Sequence, residues 1–235
     1  MNWVDKKFKI MKIWHISDTH GLHYLLDVPE GVDMVIHSGD ASNNRDMYKN
    51  ELEFKNFLNW FKELPIKYKV FVAGNHDRCV EVNLFNIKTQ MKEVGIIYLE
   101  NEEVIIDGIK IWGSPHTPTF GNWSFMKARH SLNKVWANIP TDTDIVIVHG
   151  PPKGILDLSH DFNNYVENCG CGALKKRMLK FPPKLCLFGH IHNNKDIINA
   201  GTVKLSITDT IFSNGSIVTD GKFGTLSSNG NILNI

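Results

Sequence analysis

Five short apolar, β-rich runs, at 12–16, 33–37, 68–73, 144–148 and 184–188, each stop abruptly at a polar cluster. Near-continuous apolar runs of this length suit strands covered on both faces. The segments between them carry a different period. Over 48–64, Leu52, Phe57, Leu58, Phe61 and Leu64 share one stripe, and the pattern halts at Pro65, which predicts a helix. Weaker helical patterns follow at 82–94, 131–138 and 171–179, and strand-like stretches at 202–208, 210–212 and 216–219. Strands alternating with helices, then a strand-rich end, predict an α/β sandwich with largely parallel pairing early in the chain. In open α/β sheets the functional crevice lies beyond the carboxyl ends of the strands, where all five polar clusters fall.

Length and charge narrow the picture without deciding it. The 235 residues suit one domain over 1–235, with 1–11 read as an N-terminal extension and Met1 or Met11 as the start. Residues 1–11 lack the apolar stretch of a secretory signal, and no apolar run is long enough to span a membrane. Twenty-six basic residues against 25 acidic ones give no global field for nucleic acid or an anionic membrane, so neither is an expected partner. Cys79, Cys169, Cys171 and Cys186 form no C-x-x-C pair, which favours reduced thiols and a cytoplasmic address.

The chemistry lies in the clusters, which supply Asp18, His20, Asp40, Asn75, His76, His149, His190 and His192. Carboxylate, imidazole and amide oxygen suit Mn²⁺, Fe or Zn²⁺, and the lack of thiolate argues against a closed structural zinc site. Asp18 with His20, and His190 with His192, are two apart and can each converge on one place. Eight potential ligands are too many for one ion but suit two ions that share a carboxylate. Two divalent metals about 3.5–4 Å apart activate water and clamp an in-line displacement at phosphorus.

In this order, Asp18-x-His20, Gly39-Asp40, Gly74-Asn75-His76-Asp77, His149-Gly150 and Gly189-His190-x-His192 resemble the signature of the calcineurin-like metallophosphoesterases. The resemblance implies a four-layer α/β/β/α sandwich with two mixed β-sheets flanked by helices, and a hydrolase with two divalent metal ions, Mn²⁺ favoured. It implies one metal on Asp18, His20, Asp40 and His192. A second would sit on Asp40, Asn75, His149 and His190, with Asp40 bridging and His76 catalytic. Gly113-Ser114-Pro115, Trp123-Ser124-Phe125, His149-Gly150-Pro151-Pro152 and Asn214-Gly215-Ser216 further resemble the metallophosphoesterase-domain-containing proteins, a subgroup similar to class III cyclic-nucleotide phosphodiesterases. That points to a small phosphodiester substrate, a cyclic nucleotide among the candidates. A phosphomonoesterase, a nuclease and a non-catalytic scaffold are the alternatives. The V-D-R-G run of the protein serine/threonine phosphatases is absent after Asp40.

The remaining histidines and aromatics are weaker candidates. His23 and His116 lie in loops beside motif positions and are candidate substrate contacts, as are Trp123 and Phe125, whose rings could stack a base. His15 and His37 sit in strands just before ligand positions and read as packing or supporting residues. Lys175, Lys176, Arg177 and Lys180 read as a solvated helix face.

Overall fold

The computed structural model describes residues 10–161, 163–221 and 224–235; most of the expected extension at 1–11 lies outside them. First come β1 (Lys12–Ile16), β2 (Met34–His37), α1 (Met47–Glu63), β3 (Tyr68–Phe71), α2 (Arg78–Val82), α3 (Leu84–Glu93) and β4 (Ile96–Tyr98). Then follow β5 (Glu102–Ile106), β6 (Ile109–Ser114), β7 (Thr117–Pro118), β8 (Met126–Lys127), α4 (Leu132–Ala137) and β9 (Ile145–Val148). The chain ends with β10 (Leu158–His160), β11 (Val166–Asn168), α5 (Gly172–Lys180), β12 (Leu185–Phe188), β13 (Gly201–Lys204), β14 (Ile211–Asn214) and β15 (Asn231–Asn234). In chain order, α-helices follow β2, β3, β8 and β11, while among the described residues the other strands succeed one another with no α-helix between.

Two mixed sheets result. One runs β15-β1-β2-β3-β4, parallel except for edge strand β15. The other runs β13-β14-β12-β9-β6-β5, parallel in the middle with antiparallel β13 and β5 at its edges. The apolar runs are continuous because each strand has two faces to bury. Ile13, Ile36 and Val70 of the first sheet pack with Ile111, Ile145, Ile147 and Leu187 of the second, forming the layer between the sheets. Their neighbours point the other way. Trp14, Val35 and Phe71 pack under Phe54, Phe57 and Phe61 of α1 and Met91 of α3. Trp112, Val146, Cys186 and Phe188 pack under Trp136 of α4 and Leu174 and Met178 of α5. The four-layer α/β/β/α sandwich is therefore as expected.

Local chemistry sets the element ends. Asp46 caps α1, its side chain accepting from the Lys49 amide, and Pro65 follows the helix end. The single helix expected at 82–94 is instead α2 and α3, broken at Asn83, whose amide bonds back to the Cys79 carbonyl. The strand expected at 216–219 contributes, among the described residues, isolated bridges from Ser216 to Ser17, Val218 to Leu226 and Thr219 to Asn193. Among the described residues, no helix is long and apolar enough to cross a membrane.

Candidate metal centre

Every cluster singled out in the sequence sits just past the carboxyl end of β1, β2, β3, β9 or β12. The parallel register brings these ends together. Backbone conformation there is unusual: Asp18, His20, Asp40 and His190 have φ of 53°, 43°, 61° and 70°, a region that non-glycine residues avoid. Glycines allow the approach. A Cβ on Gly189 would collide with the Asp18 carboxylate and the Ser17 side chain, and one on Gly74 with the Asp40 carboxylate.

The donor atoms form overlapping groups within 4.8 Å: Asp18, His20 and His192; His20, Asp40 and His76; Asp40, His149 and His190. His20 Nε2 lies 3.4 Å from His192 Nε2 and 3.8 Å from Asp40 Oδ2. His192 Nε2 lies 3.2 Å from Asp18 Oδ1. His149 Nε2 is 3.3 Å from Asp40 Oδ2 and 3.0 Å from Asn75 Oδ1.

Tautomers follow from the acceptors on the far side of each ring. The carbonyl of Ser42 faces His20 Nδ1 at 3.0 Å and that of Ser38 faces His149 Nδ1 at 2.9 Å, so both nitrogens carry the proton. Asp220 Oδ1 takes the same part for His192 Nδ1 at 3.2 Å. In the neutral form of these three imidazoles, the inward Nε2 atoms are then lone pairs that converge with carboxylate and amide oxygens. Acceptors facing acceptors at 3.0–3.8 Å call for positive charge between them, which is the test a cation site must pass.

The titration of the metal-free protein reflects the same demand. Burial disfavours a charged His149, but Asp40 and Asp18 outweigh it and push the imidazole up to about 9. For His192, burial is outweighed by Asp18 and Asp220, and the group rises to about 10. Burial dominates at His20, lowered to about 4, and at His190, lowered to about 3. Both carboxylates resist burial: His192 holds Asp18, and His149 holds Asp40, below the ordinary range.

Supporting residues complete the centre. Asp77 accepts from the amides of Asp40, Ser42 and Gly74 at 2.8–2.9 Å, tying the loop after β2 to the loop after β3. Burial and the Asp40 charge push its carboxyl up to about 7, against the pull of the backbone donors. His15 bonds Ser213 and Ser38, and His37 bonds Thr19, so both buried histidines brace the loops that carry the donor atoms.

These features match a known family. Residues 11–194 match the Calcineurin-like phosphoesterase family. The chain belongs to it. Among its relatives, human metallophosphoesterase domain-containing protein 1 is 31% identical over 87% of this chain and 65% of that protein. The Caenorhabditis elegans UPF0046 protein K07C11.7 is 32% identical over 81% of this chain and 67% of that protein. A probable rhamnogalacturonate lyase C of Emericella nidulans is 35% identical over 78% of this chain, but the match spans only 17% of that longer protein. The crystal structure of TT1561 of Thermus thermophilus shares the fold, with a TM-score of 0.58 at 14% identity, covering 88% of this chain and 89% of that one.

Within this phosphoesterase-family fold the expected substrate contacts fare differently. His23, His116 and Phe125 are 1%, 7% and 3% exposed, so substrate contact does not fit their placement. His23 lies against Phe57 and Trp60, and Phe125 belongs to the core under α1. Trp123 does reach the centre, but its indole centroid lies 4.2 Å from the His76 ring and 3.7 Å from the Arg45 guanidinium, so its ring already has partners. Asp220, Asn43 and Arg45 carry no motif signal, and Asp77 stands inside the G-N-H-D run with no role legible there. Phe120 is the exposed aromatic of that loop, at 60%, with its ring 5.3 Å from that of His190.

Proposed function

We propose that this chain is a dinuclear metal-dependent phosphodiesterase. The observation that carries the reading is Asp40, whose carboxylate belongs to two donor groups: one with His20 and His76, the other with His149 and His190. Asp18, His20, Asp40 and His192 would hold one ion, and Asp40, Asn75, His149 and His190 the other. The donor set is nitrogen and oxygen only, which suits Mn²⁺, with Fe or Zn²⁺ as alternatives. When bound, such a pair supplies charge for the phosphate and activates water for attack.

The chain's own residues do the rest. His76 lines a cleft of about 400 Å³ with His20, His192 and Asp220. Its Nδ1 lies 3.2 Å from the Asn43 carbonyl, so as imidazolium it donates there and keeps Nε2–H for the departing ester oxygen. The His76 amide donates to Asp40 Oδ1 at 2.7 Å, holding the carboxylate in place.

Two clefts support a diester over a monoester. Adjoining the His76 cleft, with His192 and Asp220 common to both, a cleft of about 530 Å³ is lined by Phe120, Arg129, Lys153 and His190. A diester places one substituent in each cleft, the leaving group beside His76. The substrate is then a small phosphodiester, with a nucleotide as one class that fits.

The test is a panel of mono- and diesters run on protein reconstituted with Mn²⁺. Diester hydrolysis should exceed monoester hydrolysis, and His76→Ala should keep the metals while lowering kcat by roughly 10²–10⁴-fold. Equal turnover of both ester classes would refute the diester preference. Loss of metal with unchanged activity per metal would refute the role of His76.

A further inference from the structure

His76 has one side-chain hydrogen bond, to the Asn43 carbonyl at 3.2 Å, on a partly exposed loop. A single bond of that kind on an exposed edge fixes an imidazole only weakly, so packing adds to its aim. Two rings supply that packing. His20 meets it edge-on with centroids 4.7 Å apart, and the Trp123 indole lies 4.2 Å away, tilted by 32°.

The indole is itself held. Its loop is joined to the His76 loop by the Ser124 amide, which donates to the Asn75 carbonyl at 3.2 Å. The next amide, of Phe125, donates to Glu81 Oε1 of α2 at 2.8 Å. The Arg45 guanidinium sits 3.7 Å from the indole centroid. Arg45 and His76 thus both pack against the indole, 3.7 and 4.2 Å from its ring centroid. Arg45 is anchored in turn, its carbonyl accepting from the Arg78 guanidinium at 3.1 Å.

We propose that Trp123, backed by Arg45, is a positioning residue that holds the His76 imidazole toward the leaving oxygen, and is not a surface on which substrate stacks. The inference rests on the phosphodiesterase reading. It adds a distinct consequence: Trp123 acts on the reaction through His76 alone. The guanidinium holds the indole in place, because an indole is the best aromatic partner for a guanidinium.

The experiment is a double-mutant cycle on Mn²⁺-loaded protein, with aryl phosphodiesters whose leaving groups range from nitrophenol to phenol. Trp123→Leu should lower kcat by about 10–100-fold on the phenol ester and less on the nitrophenol ester, with KM and metal content unchanged. Trp123→Phe should restore most of the loss, and the exposed Arg45→Met, which leaves the core untouched, should cost a smaller part of it. In a His76→Ala background, Trp123→Leu should add nothing. A rise in KM with kcat intact would make Trp123 a substrate surface and overturn the proposal. So would a full Trp123→Leu effect persisting without His76. Nuclear magnetic resonance of the His76 ring protons in the metal-free protein tests the stack without turnover: Trp123→Leu should abolish their upfield ring-current shift, and unchanged resonances overturn the clamp. If the parent hydrolyses no ester, the phosphodiesterase reading fails, and this resonance test alone decides the clamp.

Discussion

Asp40→Asn should remove both metal ions while leaving the shape of the centre intact. The asparagine keeps an oxygen to accept the His76 amide, 2.7 Å from the carboxylate in the parent, and removes only the charge. The magnitude follows from distance. His149 and His20 nitrogens lie 3.3 and 3.8 Å from Asp40 Oδ2, so a cation held between these groups sits no farther from the carboxylate. At an effective dielectric of 20, a unit charge at that range interacts by about 4–5 kcal/mol, a floor of roughly 10³-fold in affinity. Removing Asp40 also relieves the repulsion that raises Asp77, so the fold should survive. Elemental analysis after Mn²⁺ reconstitution should give two ions per parent chain and none for Asp40→Asn, with unchanged circular dichroism. Asp18→Asn, on one side of the centre, should lose one. An Asp40→Asn protein that retains two ions, or loses only one, would refute the shared carboxylate.

Other consequences are open to direct measurement. Gly189→Ala should disturb Asp18 through the collision of its Cβ, costing about 1–3 kcal/mol of stability and the ion beside His192, read by thermal melting and metal content. Phe120→Ala should raise KM for an aryl diester by roughly tenfold or less and leave inhibition by inorganic phosphate unchanged, since only the exposed ring is lost. Burial lowers His15 and His37 to about 3, with Asp18 opposing it in both, so the unfolded chain binds their protons first. Their contribution to stability is thus complete above pH 6.5 and is lost as pH falls toward 3, at up to about 1.4 kcal/mol per pH unit for each group. Urea unfolding of metal-free protein between pH 4.5 and 6.5 should show a shallower fall for His37→Gln than for the parent, and identical slopes would contradict this.

The ligand positions were legible because two sequence signals coincide there. A run such as 144–148 buries both faces, so the polar His149 that ends it marks the carboxyl end of a central strand. Five such ends in parallel strands share one rim. The supporting residues gave no such signal, because their roles depend on approaches between distant segments. Asp77 serves amides 35–37 residues away, and Asp220 reaches His192 from a loop beyond β14. The aromatic loop shows the same limit. Phe120, Trp123 and Phe125 look alike in sequence, yet one is exposed, one is stacked on His76 and one is in the core. The break at Asn83 and the loss of the strand at 216–219 are likewise not marked by the apolar period.

The strained backbone of the centre explains why these loops need so many fastenings. Asp18, His20, Asp40 and His190 each hold a positive φ, at about 1–2 kcal/mol for a non-glycine residue. Glycine would relieve that cost but would supply no ligand. The chain instead places glycine immediately before Asp40, Asn75 and His190, where a Cβ would block the approach of the neighbouring loop. The ligands themselves are then held in the unfavourable conformation by bonds from other loops. Both Asp18 oxygens accept from the His190 amide, at 2.9 and 3.0 Å, and the Asp40 amide donates to Asp77. Each ligand loop thereby fixes another, so the donor atoms converge before any cation arrives. A centre arranged in advance does not spend binding energy on ordering its own ligands. That is also why the loops resist separate change: loosening Asp77 or Gly189 disturbs ligands on loops far from it in sequence.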